Sequence, residues 1–228
     1  MSRILRAEGD WAGFIADALA SATRPIPYDE RLLPRNPDGS TRARIRGPRP
    51  EAPAPRRAAT LLAIYPDGAG ELVVPLTVRR DDMTSHAGEV SLPGGSIDPS
   101  DADEVAAALR EAWEEVGIEP DAVRVAGSLD EVWIPVTNFV LRPIVGTLER
   151  RPALTPHDAE VASIVELPLT ALFDPTIVGD EEFTGSRGGW RIRAGAYRYA
   201  GVRVWGATAI TLGMLARVLE PGDGSREP

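Results

Sequence analysis

Three glutamates, Glu111, Glu114 and Glu115, stand at i, i+3 and i+4 in a segment that begins with Gly94-Gly95 and ends at Gly117-Ile118. No other feature constrains the fold as strongly. The first half of the segment reads as a loop, because Gly94-Gly95 and Asp98-Pro99 are chain breakers. The second half reads as a helix: Ser100 or Asp101 caps its first turn, a run of Ala and Leu follows, Gly117 stops it, and Pro120 cannot continue it. The i, i+3, i+4 spacing puts the three carboxylates on one face, about one turn long. Like charges so placed destabilise one another, and a divalent cation would offset them. Carboxylate oxygens suit Mg2+ or Mn2+. A solvated Glu-rich face is the plainer alternative. An apolar stripe of Val105, Leu109 and Trp113 would pin the helix to a core and hold the carboxylates still.

Composition narrows the function classes. The chain has 228 residues, of which 43% are hydrophobic, enough for one sizeable domain with extensions. A net charge of −9 argues against general binding to nucleic acid or anionic membrane. A small anionic substrate stays open, because a bound metal reverses the local sign. The absence of cysteine excludes disulfides, thiolate metal sites and cysteine nucleophiles. The two histidines, His86 and His157, are too few for a multi-histidine metal site. No apolar run approaches the roughly 20 residues of a membrane span, and no signal-peptide core is evident at the start. A cytoplasmic protein is the expectation.

Trp11, Phe14, Ile15, Ala18 and Leu19 predict an amphipathic helix over 8–22, packing on the body or on a second subunit. Residues 23–57 are rich in Pro, Arg and Gly and read as an extended arm. Its Arg42, Arg44, Arg46, Arg49, Arg56 and Arg57 would lie near the entrance for an anionic substrate or cross to a partner; helix and arm together allow a homodimer. Strands are expected over 58–65 and 71–80 around the Asp67-Gly68 turn, with Pro75 marking an edge or bulge, then at 90–93, 123–129, 139–146 and 161–167. Residues 130–138 look like a binding loop, 168–173 a short helix, 176–196 a surface excursion, 197–205 a hairpin end and 206–219 the last helix. The boundaries are therefore an N-terminal helix and arm over 1–57, a main folded domain over 58–219 and a disordered tail over 220–228.

Arg110-Glu111-Ala112-Trp113-Glu114-Glu115-Val116-Gly117-Ile118 resembles the Arg-Glu-x-x-Glu-Glu-x-Gly-hydrophobic half of the Nudix box, with Gly95 as its leading glycine. The usual box has a glutamate eight residues before the arginine, where this chain has Ala102, and the spacing from Gly95 to Arg110 is one residue longer. Asp101, Asp103 and Glu104 lie close enough to substitute. Upstream, Pro75-Leu76-Thr77-Val78-Arg79, Met83, His86, Gly88 and Leu92-Pro93-Gly94-Gly95 resemble the signature of the coenzyme A pyrophosphatase branch of that family. Pro75, Met83 and Leu92 depart from it, while Arg79, His86 and Gly88 match. The resemblance covers roughly residues 57–219.

The resemblance implies a mixed β-sheet sandwiched between helices, an α/β/α arrangement. It implies metal-dependent hydrolysis of a nucleoside diphosphate linked to another moiety, here coenzyme A or its thioesters. Glu111, Glu114 and Glu115 would hold divalent ions, with the Gly95 carbonyl as a further ligand. Arg110 would orient a glutamate. Arg79, His86, Gly94 and Gly95 would bind substrate, since arginine grips phosphate bidentately. The base that deprotonates water is either a glutamate of the box or a later carboxylate, of which Glu160 is the best placed and Asp130 and Glu131 are weaker. Two alternatives stand beside this: a Nudix hydrolase for ADP-ribose or a dinucleotide, and a non-catalytic nucleotide-binding module, which retention of all three glutamates disfavours.

Overall fold

The computed structural model describes residues 5–40, 53–80, 89–157, 159–184 and 191–220. Its centre is β1 (Arg56–Pro66), a strand with eight consecutive buried residues. Such a run demands cover on both faces. On one edge β1 pairs in parallel with β7 (Phe139–Thr147) from Arg56↔Phe139 to Ile64↔Thr147. On the other it meets β2 (Leu72–Arg79) antiparallel at Tyr65↔Val73 and Pro66↔Leu72, then β4 (Gly94–Ser96) at Ala58↔Ser96, Ala59↔Gly95 and Thr60↔Gly94. β3 (Val90–Ser91) and β8 (Val161–Pro168) join β2, while β5 (Arg124–Ser128) and β6 (Val132–Ile134) join β7. The result is a mixed eight-stranded sheet.

Alternate residues of β1 separate the two faces. Ala59, Leu61, Ala63 and Tyr65 pack against Ala107, Ala108, Ala112 and Val116 of α2 (Glu104–Val116). Leu62 and Ile64 face the other core, with Ile15 and Leu19 of α1 (Trp11–Ser21) and Leu212, Met214 and Leu215 of α3 (Gly206–Leu219). The expected α/β/α layering is thus present. The three alanines let α2 approach β1 closely, so enlarging them would cost about 1–3 kcal/mol in overpacking.

Several expectations are corrected. Asp103, not Ser100 or Asp101, caps α2 by accepting from the Ala106 N–H at 2.8 Å. Trp113 is 46% exposed and does not pin the helix; its buried face is the alanine side together with Glu115. Gly94 and Gly95 are strand residues rather than loop. The 130–138 segment is β6 and a turn closing on β7, because Val132, Trp133 and Ile134 complete a hairpin with Leu141, Val140 and Phe139. Residues 176–196 contain β9 (Val178–Thr184) and part of β10 (Arg191–Tyr199), which form a second antiparallel sheet with β11 (Val202–Val204). Charge pairs between Arg and Asp or Glu hide that sheet from a hydropathy reading: Glu181 holds Arg198 and Arg203, and Asp180 holds Arg35 and Arg193. Pro75 lies between the β1 and β3 pairings of β2, and the bulge falls later, at Val78/Arg79.

The N-terminal segment is bound to the body. Leu5, Ile26 and Leu32 are buried in the α1/α3 core, and Asp130 accepts from Arg24 and from the Ile26 N–H. Arg56 and Arg57 begin β1 instead of ending an arm, with Arg56 stacked over Phe139 at 4.0 Å. Arg42, Arg44, Arg46 and Arg49 lie outside the described residues, as do Met83, His86, Gly88 and residues 221–228. Among the described residues no helix is long and apolar enough to cross a membrane.

Candidate active site

The site forms where β4 lies under α2. Gly94 is fitted between β1 and the helix: a Cβ there would stand 2.5 Å from the Ala59 carbonyl oxygen and 2.6 Å from the Thr60 Cα. A Cβ on Gly95 would stand 2.5 Å from Glu111 Oε1. Gly94 therefore demands glycine by its close approach to backbone, whereas a side chain at Gly95 would meet only the movable end of Glu111. Thr60 Oγ1 and the Leu61 N–H both donate to the Pro93 carbonyl, which fixes the chain entering the Gly-Gly pair.

The glutamates are split by the helix. Glu115 points inward, is 6% exposed, and accepts from the Gly94 N–H at 3.2 Å. Burial pushes its carboxyl up to about 7; the Gly94 donor opposes this, while nearby Glu111 and Glu160 reinforce it and Arg79 opposes it. Glu111 lies over Gly95, and burial raises it too, against the pull of Arg110. Glu114 is on the outer side, its carboxylate bound to Arg110 Nη1 at 3.0 Å. Positions i+3 and i+4 diverge by about 100° around a helix, so the shared face holds Glu111 and Glu115 better than Glu114. Among the described residues no three His, Asp or Glu side chains surround one point closely enough to hold an ion.

Arg110 is bound to Glu111, Glu114 and Asp101. Its Nη1 donates to Glu111 and Glu114, both at 3.0 Å, and its Nε and Nη2 donate to Asp101 at 2.9 and 3.0 Å. These partners, Asp101 first, hold the guanidinium well above its ordinary range. The three acids near Ala102 are each engaged: Asp101 with Arg110, Asp103 as the helix cap, Glu104 with Arg57 at 2.7 Å.

Arg79 and Glu160 join the cluster from β2 and the start of β8. Arg79 Nη2 lies 4.0 Å from Glu160 Oε2, and Arg79 Nε is buried with no hydrogen-bond partner. Asp130 and Glu131 do not join it; Asp130 ties down Arg24, and Glu131 is shared by Arg57 and Arg142. Pairing of Gly94-Gly95 with β1, and the burial of Glu115, were missed by the sequence reading. The signal for the second was there, since Ala108, Ala112 and Glu115 follow i, i+4, i+7.

Residues 54–184 match the NUDIX domain, more than half of the chain, and the protein belongs to the Nudix family. It is 37% identical over 168 residues to an uncharacterized Nudix hydrolase, NudL, of Photorhabdus laumondii, covering 72% of this chain and 86% of that one. It is 43% identical over 115 residues to the NudL of Citrobacter koseri, covering 50% of this chain and 58% of that protein. With the chloroplastic Nudix hydrolase 22 of Arabidopsis thaliana it shares 37% identity over 133 residues, 57% of this chain but 43% of the relative. The chain thus spans about half the length of the last two.

Proposed function

We propose that the protein is a metal-dependent pyrophosphohydrolase that cleaves the diphosphate of coenzyme A or acyl-coenzyme A. The products would be 3′,5′-ADP and 4′-phosphopantetheine or its acyl form. One observation carries the reading: the buried carboxylate of Glu115 and the half-buried one of Glu111 lie within reach of each other's charge, and the close cationic partner between them is Arg110 on Glu111. That arrangement fits a divalent cation, because the donors are all oxygen and a cation would relieve the burial penalty both acids bear.

Glu111 and Glu115 would hold Mg2+ or Mn2+, with Glu114 swinging from Arg110 to complete the set and the Gly95 carbonyl alongside. When bound, the ion neutralises diphosphate charge and makes a water more acidic. Arg110, anchored on Asp101, keeps Glu111 in place. Arg79, with its unfilled Nε donor, would bind a phosphate oxygen. Glu160 is half-exposed and only loosely tied to Arg79, so its carboxylate is free to take the proton of the attacking water. Water adds to one phosphorus, and the bridging oxygen leaves on the other phosphate. The coenzyme A assignment is supported by the 75–95 signature, including Arg79 in this cluster; His86 lies outside the described residues.

The test is a panel of coenzyme A, acyl-coenzyme A, ADP-ribose, NADH and diadenosine polyphosphates with Mg2+ or Mn2+, products being identified by mass. Release of 3′,5′-ADP from coenzyme A is expected. Turnover of ADP-ribose without any such release would overturn the substrate assignment.

A further inference from the structure

Trp113 is an anomaly that the hydrolytic centre does not use. It is the only exposed tryptophan among the described residues, and it stands on the catalytic helix one position before Glu114. Its exposed indole offers apolar surface beside Glu114. Trp113 forms one side of an open groove of about 560 Å³, with Glu114 and Gly117 on the same side and Thr155, Pro156, His157 and Ala159 opposite. That volume falls within the roughly 300–1,000 Å³ of small-molecule sites.

The groove is preformed. The Thr155 N–H donates to the Val116 carbonyl at 3.0 Å and the His157 N–H to the Glu115 carbonyl at 2.9 Å. The opposite wall is thereby fastened to the last turn of α2, whose carbonyls would otherwise lack partners. The groove meets the glutamate-bearing helix at Glu114. Glu114 lines it, Glu115 carries one of its wall contacts, and Glu160 follows Ala159 directly.

The lining chemistry selects between the two halves of the substrate. Trp113, Pro156 and Ala159 present apolar surface, and Thr155 and His157 add hydrogen-bonding groups. Among the described residues no arginine lines it, and the acid that does, Glu114, is bound to Arg110. A half carrying an additional phosphate would find no cation there. An uncharged amide chain would find both an apolar floor and polar partners.

We propose that this groove is the subsite for the uncharged, amide-containing arm on the far side of the diphosphate, with Trp113 its main apolar contact. This rests on the diphosphate-hydrolase reading above and names where that substrate's two halves lie. The nucleotide half, with its extra phosphate, extends away from the groove.

The experiment uses the full chain with Mg2+ and two fragments, pantetheine and 3′,5′-ADP. Saturation-transfer NMR should show pantetheine bound to the wild type, lost with Trp113→Ala and kept with Trp113→Phe. The 3′,5′-ADP signal should be the same in all three. In turnover, Trp113→Ala should raise KM for coenzyme A about tenfold or more, the usual scale for losing an apolar contact, while inhibition by 3′,5′-ADP stays put. Pantetheine that does not bind, or binds Trp113→Ala equally well, overturns the proposal. So does a loss of 3′,5′-ADP binding in Trp113→Ala, which would put the nucleotide in the groove. Failure of the wild type to release 3′,5′-ADP from coenzyme A would instead overturn the substrate assignment, and pantetheine binding would still judge the groove by itself.

Discussion

The backbone N–H of Gly94 donates to the buried carboxylate of Glu115 at 3.2 Å, joining the first strand residue after Pro93 to the last turn of α2. Glu115 is held at its other end too, since its carbonyl accepts from the His157 N–H. A carboxylate so confined cannot turn to water when ionised. The fold thus keeps a charge where solvation is poor, and one neutral donor offsets only part of the cost.

Stability without metal should therefore fall as pH rises through the neutral range. Glu115 is raised to about 7 from an ordinary 4.5. The folded state binds this proton more tightly than the unfolded state does. Its contribution is fully present below about pH 4.5 and is lost as pH rises through about 7, a difference on the order of 3 kcal/mol. Glu111, also raised, adds in the same direction. Acids held down by arginines, such as Glu166 on Arg151 and Asp101 on Arg110, have the opposite sign but act lower, as pH falls through their depressed values. Urea unfolding in chelator at pH 5 and pH 8 should show the loss in the wild type and a flatter profile in Glu115→Gln. Identical profiles would refute the burial argument.

The two glycines should fail differently. Gly94→Ala drives a Cβ into the Ala59 and Thr60 backbone, which cannot give way, so thermal unfolding should show a destabilisation of about 1–3 kcal/mol or more. Gly95→Ala meets the Glu111 carboxylate, the far end of a flexible side chain. Its stability should change little, while the metal concentration for half-maximal activity rises. Equal destabilisation of both variants would show that Glu111 is not resting on Gly95.

Asp101 should prove to be the acid that matters beside Ala102. It holds Arg110, which in turn holds Glu111 and Glu114, whereas Glu104 pairs with Arg57 and Asp103 caps the helix. Asp101→Asn should lower metal-dependent turnover roughly tenfold to a hundredfold, the scale seen when a ligand's supporting partner is removed. Glu104→Gln should stay within about twofold. Metal titrations of kcat and KM for the two variants decide the matter, and a reversed order would place Glu104 in the site.

What the sequence revealed and concealed follows the range of each interaction. Helix α2 and its Gly117 stop were legible because alanine runs and a left-handed glycine are local effects. Strands β1 and β7 were legible as apolar runs. The pairing of Gly94-Gly95 with Ala59 and Thr60 was not, because a contact across 34 to 36 residues leaves no local trace beyond the glycines. The second sheet was hidden by its arginines and acids, which satisfy one another only once β9 and β10 align. The apolar stripe held at Val105 and Leu109, which pack on the core beside the small alanines, and failed at Trp113, which is left outside.

Glu115→Gln tests the centre of the site most directly. The amide has nearly the same shape and can still accept from the Gly94 N–H, so α2 and β4 should keep their packing. It carries no charge, so the burial penalty disappears and the metal-free variant should be as stable as the wild type or more so above pH 7. As a ligand, however, an amide oxygen is far weaker than a carboxylate toward a hard divalent cation. Turnover with Mg2+ should fall by about a thousandfold or more, a loss of about 4 kcal/mol in transition-state stabilisation. Circular dichroism, unfolding curves and isothermal titration with Mg2+ separate the two effects. A stable variant that neither binds metal nor turns over substrate assigns Glu115 to the ion; a stable variant that retains full turnover would move the metal site elsewhere on the helix.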